Sequence, residues 1–468
     1  MLFNSLEYVI FLPAVILLYY LTPWKLRWIL LLFASYYFYA CWRVEYLGLI
    51  AFSTLIDYYA ARKMGKIDEK KRRKPWLVLS LFTNIGLLFF FKYYNFASES
   101  YVVLIQNFNI FQQSSVLDVL LPVGISFYTF QTLSYSIEVY RGKQKPEKHL
   151  GIFAVYVSFF PQLVAGPIER FNRLGPQLMK KINFSYNNFV NGMRLILFGL
   201  FIKMVVADNL AVYVDLIYSN ALSYSSLDIL TGLFFYSFQI YADFAGYSLI
   251  AIGSALTLGV FLMDNFKTPY LSKSIAEFWQ RWHISLSTWF RDYLYFPLGG
   301  NRVKWFRAGL NILVVFAISG LWHGAGWTFL VWGLIFAFFY LAEKSANKIF
   351  KLKSKNSQLI SALLIIKTFA VVSIAWIFFR SSDIYEAERV FTGLFQNSIT
   401  SSYLRVEPVV WLFLALFILS EFVLYNKRFD FWCAKLPVLA RWTVYSVLIF
   451  AIIVFSGVQE FPFIYFQF

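Results

Sequence analysis

Charge is scarce in this chain. Only 14% of its 468 residues are Asp, Glu, Lys or Arg, while 59% are hydrophobic. A soluble chain carries about 25% charged residues, and a water-facing surface built from this composition would be far too apolar. Cysteine occurs twice and histidine three times. Two cysteines, Cys41 and Cys433, exclude a disulfide framework, and their apolar context predicts buried small hydrophobes. Two of the histidines, His283 and His323, have no Cys and no Asp or Glu nearby in ligand spacing and make a poor metal site, so none is expected. A cleavable signal is also missing. Met1 to Tyr8 has no basic region, only Glu7, and no small-residue cleavage site follows, so the first apolar run is expected to stay as a membrane helix.

What is present is apolar length. Mean hydropathy is +0.60, and aromatics make up 22% of the chain, with 54 Phe. Crossing the hydrocarbon takes roughly 20 apolar residues as a helix. The runs from Trp28 to Cys41, Leu77 to Phe91, Leu359 to Phe379, Val409 to Leu424 and Trp442 to Val458 all come close to that length. The predicted class is an all-α polytopic membrane protein of roughly eleven spans in one domain. The net charge of +17 does not point to nucleic acid. It gathers in a few inter-helix segments, as cytoplasmic loops do: Arg62 to Lys74, Arg141 to Lys148, Lys344 to Lys355, and Lys427 with Arg428. Placing these segments inside puts both termini outside.

Residues 150–340 do not resolve into simple spans. Pro161, Pro167, Asp208, Asp243, Pro269 and Pro297 interrupt them. Leu227 to Leu262 is too long for one ordinary crossing, and Asp264 to Arg307 is amphipathic and charged. Broken or re-entrant segments at membrane depth survive only where protein or a water-filled cavity satisfies the backbone. The active site is therefore expected in this middle region. Further on, Ser381 to Glu386 is expected to cap a surface helix with Ile384, Ala387, Phe391 and Leu394 on its apolar face.

Histidines narrow the search. His149 sits in a basic loop and reads as a solvated residue. His283 lies in FWQRWHISLSTWFRD, residues 278–292. His323 lies in GLWHGAGW, residues 320–327. An ionisable group at membrane depth marks a functional site by default, and the glycines around His323 permit close approach of another chain or a ligand. A satisfied structural histidine remains the other reading, more so for His283.

These blocks resemble the membrane-bound O-acyltransferases, in particular the bacterial branch that includes alginate and peptidoglycan O-acetyltransferases. LPVGISF at 121–127, FPQLVAGP at 160–167, QIYADFAGY at 239–247 and YLYFPLGGNR at 293–302 occur in the family's order with the two histidine blocks. Gln280 and Leu249 depart from the branch, which often has Arg and Asp there. The resemblance implies that His323 is catalytic and His283 is the second site residue. It implies a cytoplasmic acyl thioester as donor, acetyl-CoA, with D-alanyl from a carrier protein as the other acyl group. Arg281, Arg291, Arg302 and Lys304 fall in the charged middle segment and could meet the CoA phosphates, or else snorkel to lipid headgroups. Expected partners are the bilayer, a polysaccharide acceptor outside the cytoplasm and an SGNH-type extracytoplasmic transferase. The implied location is the bacterial inner membrane. A transporter or flippase, and a non-catalytic scaffold of a polymer-export complex, stay open as other classes.

The segment 459–468 adds one more expectation. Its ending, FIYFQF at 463–468, resembles the Phe-x-Tyr-x-x-Phe ending of the small partner protein of the related D-alanylation system, whose Tyr is the proposed acyl relay. One reading is an interfacial aromatic anchor; the other is a built-in relay that presents Tyr465 toward His323. The topology is testable at once. A cysteine at Lys66 should react with an impermeant thiol reagent only from the cytoplasmic side, and one appended after Phe468 only from outside. Cytoplasmic labelling of the second would make the helix count wrong by an odd number.

Overall fold

The structure, a computed structural model, describes residues 1–106, 116–117, 121–164, 166–350, 357–396, 404–457 and 461–466. Residues 351–355 of the Lys344 to Lys355 stretch, and 459–460 and 467–468 of the segment 459–468, therefore lie outside the described residues. Among the described residues every regular element is helical. Among the described residues seven helices are long and apolar enough to cross a membrane: Lys70–Gln106, Tyr186–Ser219, Ser226–Thr257, Trp305–His323, Trp327–Ile349, Gln358–Arg380 and Val438–Phe455. Leu6–Leu21 and Pro408–Val423 are apolar but shorter. Tyr46–Met64 and Ile125–Tyr140 fall outside the seven. The first carries Asp57, Arg62 and Lys63, and the second is 16 residues long.

The chain packs as two compact units, Met1–Met193 with Ala251–Met263, and Arg194–Ile250 with Asp264–Phe468. In the first, Asp57 is fully buried. Ser80 donates to its Oδ1 at 2.5 Å, and the Asn84 amide donates to both carboxylate oxygens at 3.0 and 2.9 Å. Thr132 donates to Asn84 Oδ1 at 3.2 Å, bringing in a third helix. A buried carboxylate is costly unless hydrogen bonds surround it, so these neutral donors tie the helices at 46–64, 70–88 and 125–140 together. His149, in the same unit, caps Leu150–Ser158 through Nδ1, which accepts from the Ile152 N–H at 3.2 Å.

Three features correct the sequence reading. Ser226–Thr257, which continues into the first unit, is not broken; it is one helix of 32 residues. Its most apolar window is 94% buried, so protein rather than lipid thickness sets its length. Gln239, Asp243 and Gly246 face protein and do not interrupt it. The helix Ile384–Gln396 forms as expected, with Asp383 accepting from the Glu386 N–H at 2.8 Å and Glu386 accepting from the Ser382 N–H at 2.6 Å. Its buried face is Ala387, Val390 and Gly393. Ile384 and Phe391 remain 38% and 41% exposed, because the face turns one position from the one expected. Cys433 is buried, but Cys41, in the first unit, is exposed at the end of Arg27–Ala40 rather than buried.

Irregular backbone is concentrated at 258–304. It holds the short helices Ile275–Arg281 and Ile284–Phe290 and a π-helical turn at Arg291–Tyr295. A tight helical hairpin follows, Trp305–His323 and Trp327–Phe350. A side chain at Gly320 would run into the Phe329 carbonyl, and one at Gly333 into the Phe316 carbonyl. These glycines let the two backbones touch, and that contact fixes the helix end that carries His323. Gly333→Val should therefore cost about 1–3 kcal/mol through overpacking. A thermal unfolding midpoint of the purified protein equal to the parent's would refute the close contact.

Candidate active site

His323 is the last residue of Trp305–His323 and is 3% exposed. Aromatic rings box it in. Trp322, Trp332 and Phe379 lie edge-on, with centroids 4.9, 5.0 and 5.4 Å from the imidazole. His283 is fully buried and precedes Ile284–Phe290 in a left-handed conformation, φ 43°. Such a backbone is unusual for a residue with a side chain. Asn265 holds the turn: its carbonyl accepts from the Ile284 N–H at 2.9 Å, and its amide donates to Ser248 Oγ at 3.1 Å. Phe244 packs edge-on to His283 at 4.7 Å.

The two imidazole centroids are 6.2 Å apart. Tyr465 completes a triangle with them, 5.5 Å from His323 and 6.4 Å from His283. Phe244, Phe463 and Phe379 line the phenol ring at 4.4, 5.4 and 6.1 Å. The Tyr465 hydroxyl is shielded from solvent and has no hydrogen-bond partner among the described residues. Leaving a buried hydroxyl unpaired costs about 1–3 kcal/mol, so such a group warrants a chemical explanation.

A charge cluster that sequence reasoning did not assemble lies beside the segment carrying Tyr465. Lys203 sits in a π-helical turn, Phe201–Ala207, and is 1% exposed. Its Nζ pairs with Asp208 Oδ1 at 2.7 Å and Asp243 Oδ1 at 2.6 Å. Removing one partner of a buried ion group typically costs about 3–5 kcal/mol. The available signal was three ionisable residues inside apolar runs.

The four basic candidates do not form one cluster of open cations. Arg281 bonds Glu277 at 2.9 Å, the Lys267 carbonyl at 3.0 Å, Asn426 at 3.1 Å and Tyr425 at 2.9 Å. That guanidinium ties loops together. Arg291 pairs with Asp292 at 2.8 Å and lines a cavity of about 140 Å³. The cavity is otherwise mainly apolar, with Trp279, Phe290, Phe316 and Tyr340 in its wall, and Ser319 lies one helical turn before His323. Arg302 and Lys304 are exposed in the turn before Trp305.

Comparison with known proteins gives a consistent picture. Residues 148–385 match the membrane-bound O-acyltransferase (MBOAT) family. The chain is 35% identical to the probable alginate O-acetylase AlgI of Pseudomonas putida, with 98% of each chain covered. It is 40% identical to the protein of the same name from Azotobacter vinelandii, over 82% of this chain and 76% of that one. It is 37% identical to the peptidoglycan O-acetyltransferase of Helicobacter pylori, over 78% of this chain and 73% of that one.

The left-handed backbone at His283 separates a conformational role from a chemical one. Asn tolerates that conformation and Val does not. His283→Asn should therefore be more stable than His283→Val by about 1–2 kcal/mol, read by denaturation of the purified proteins. Both should lose acyl transfer. Full activity of His283→Asn would leave His283 a purely structural part.

Proposed function

The chain belongs to the membrane-bound O-acyltransferase family and is a multi-pass membrane O-acyltransferase; from that premise we propose that it passes an acetyl group from cytoplasmic acetyl-CoA to an extracytoplasmic polysaccharide, with Tyr465 as the intermediate acceptor. The observation that carries this reading is the Tyr465 hydroxyl, buried without a partner among the described residues, on a ring packed near both imidazoles.

The chemistry follows from proton affinities. Transfer of an acyl group from a thioester to a hydroxyl needs a base at the hydroxyl, and imidazole is the side chain most often used. Complete transfer of a phenol proton, pKa about 10, to imidazole, pKa about 6.5, would cost roughly 5 kcal/mol. A base that takes the proton only as the oxygen attacks need not complete that transfer beforehand. His323 accepts the proton while the phenol oxygen bonds to the thioester carbonyl carbon. The carbon–sulfur bond then breaks, and the thiol leaves with that proton. The ester on Tyr465 keeps a good leaving group. An acceptor hydroxyl attacks it, and Tyr465 regains a proton. His283 orients the second edge of the site. The aromatic walls keep water from the ester.

On the donor side, the cavity bounded by Trp279, Phe316, Ser319 and Arg291 suits a narrow acyl-bearing chain with a charged group at its end. Arg291, which lines that cavity, would meet a phosphate there. The proposed orientation has the loop 62–74 in the cytoplasm and the segment 461–466 on the outer side of an inner membrane. A separate SGNH-type transferase would take the acetyl group from Tyr465 and deliver it to the polymer. No soluble acetyl carrier need then cross the bilayer.

The test is a pair of variants in a polymer-acetylation assay. Tyr465→Phe keeps the ring and removes only the hydroxyl; it should stop polymer acetylation while the protein still inserts and folds. His323→Ala should lower acyl transfer by about 10²–10⁴-fold and abolish the acetyl ester on Tyr465 that mass spectrometry should find in the parent. Full polymer acetylation by Tyr465→Phe would remove the relay and leave the segment an aromatic anchor.

A further inference from the structure

The Lys203 cluster is complete only with the segment 461–466 in place. An ammonium has three N–H donors. Lys203 gives them to Asp208 Oδ1 at 2.7 Å, Asp243 Oδ1 at 2.6 Å and the main-chain carbonyl of Phe461 at 3.1 Å. The other oxygen of Asp243, Oδ2, accepts from the main-chain N–H of Ile464 at 2.8 Å. Without the segment, the third hydrogen of an ammonium 1% exposed would lose this acceptor.

We propose that Lys203 and Asp243 form a main-chain clamp that docks the segment 461–466 and so positions Tyr465; the positioning part rests on the relay reading given above. The two gripped atoms bracket Pro462 and Phe463, and the second grip falls on the residue immediately before Tyr465. Proline has no N–H, so the bridged stretch offers one donor fewer for any competing register. Both grips are charge-assisted, which makes them shorter and stronger than neutral hydrogen bonds. Phe463 fills the space between them, 4.4 Å from Tyr247 and 5.6 Å from Phe244. Because the grips fall on peptide groups, the clamp fixes the path of the chain and leaves recognition of side chains to the aromatic pocket. Lys203 and Asp243 are thus positioning residues, acting on the reaction through Tyr465.

The experiment reads docking directly and needs no substrate. In the full chain with Cys41→Ser and Cys433→Ala, Ile464→Cys places a thiol at a position 4% exposed. Its alkylation by a small maleimide should be slow, and about tenfold or more faster once Lys203→Met removes a charge-assisted grip. Asp243→Asn, which keeps the shape and the Lys203–Asp208 pair, should accelerate it as well and carries the test if Lys203→Met does not fold. An unchanged alkylation rate in folded Asp243→Asn overturns the clamp. The acetyl ester on Tyr465 should fall in step with docking. Faster alkylation with undiminished polymer acetylation would keep the clamp and remove its link to the relay. Loss of acetylation in Tyr465→Phe at an unchanged alkylation rate would separate the chemistry from the docking.

Discussion

A peptide group buried away from water must find its partner within the chain, and that constraint governs where this protein can place irregular backbone. Helices meet it automatically. The stretch at 258–304 meets it by other means. The Asn265 carbonyl receives the Ile284 N–H, the Arg281 carbonyl receives the Lys267 N–H, and the Arg281 guanidinium returns to the Lys267 carbonyl. Each of these bonds also sets a side chain. The first fixes the left-handed turn from which His283 projects, so the cost of irregularity and the placement of a site residue are one event.

Dryness has a second effect, on charge. The chain keeps a few ionisable side chains in its interior, and each has its own solution. Asp57 is surrounded by hydroxyl and amide donors from the two helices at 70–88 and 125–140, which suits a structural tie. Lys203 is held between two carboxylates and a carbonyl. His283 and His323 take a third course, packed among aromatic rings.

Much of this was legible in the sequence, for identifiable reasons. Membrane character follows from composition. His323 stood out because ionisable residues are rare in apolar runs, whereas His283 as a site residue and Tyr465 as a relay came from the family resemblance. The structure brings these three side chains together. Other features were hidden. The length of Ser226–Thr257 misled because the lipid-thickness rule applies only to helices that lipid surrounds, and this one is sheathed in protein. Asn265 gave no signal, since an asparagine in a loop is ordinary and its value lies in which peptide it meets. Arg281, Arg291, Arg302 and Lys304 could be grouped by sequence, but only geometry separates a guanidinium that ties loops from one that lines a cavity.

The pairing of Lys203 with Asp208 escaped for a reason with a wider consequence. Residues five apart lie about 140° apart around a regular α-helix, so they do not share a face, and the usual three- and four-residue spacings miss them. In a π-helical turn the backbone bonds run from i to i+5, and residues with that spacing come side by side. The turn at Phe201–Ala207 is what makes this ion pair possible. Helix winding is therefore part of the charge network. Regular α-helical winding of the same residues would part the two side chains, although every charged residue would still be present. A tally of charges would not register that loss; the winding of the turn between them would.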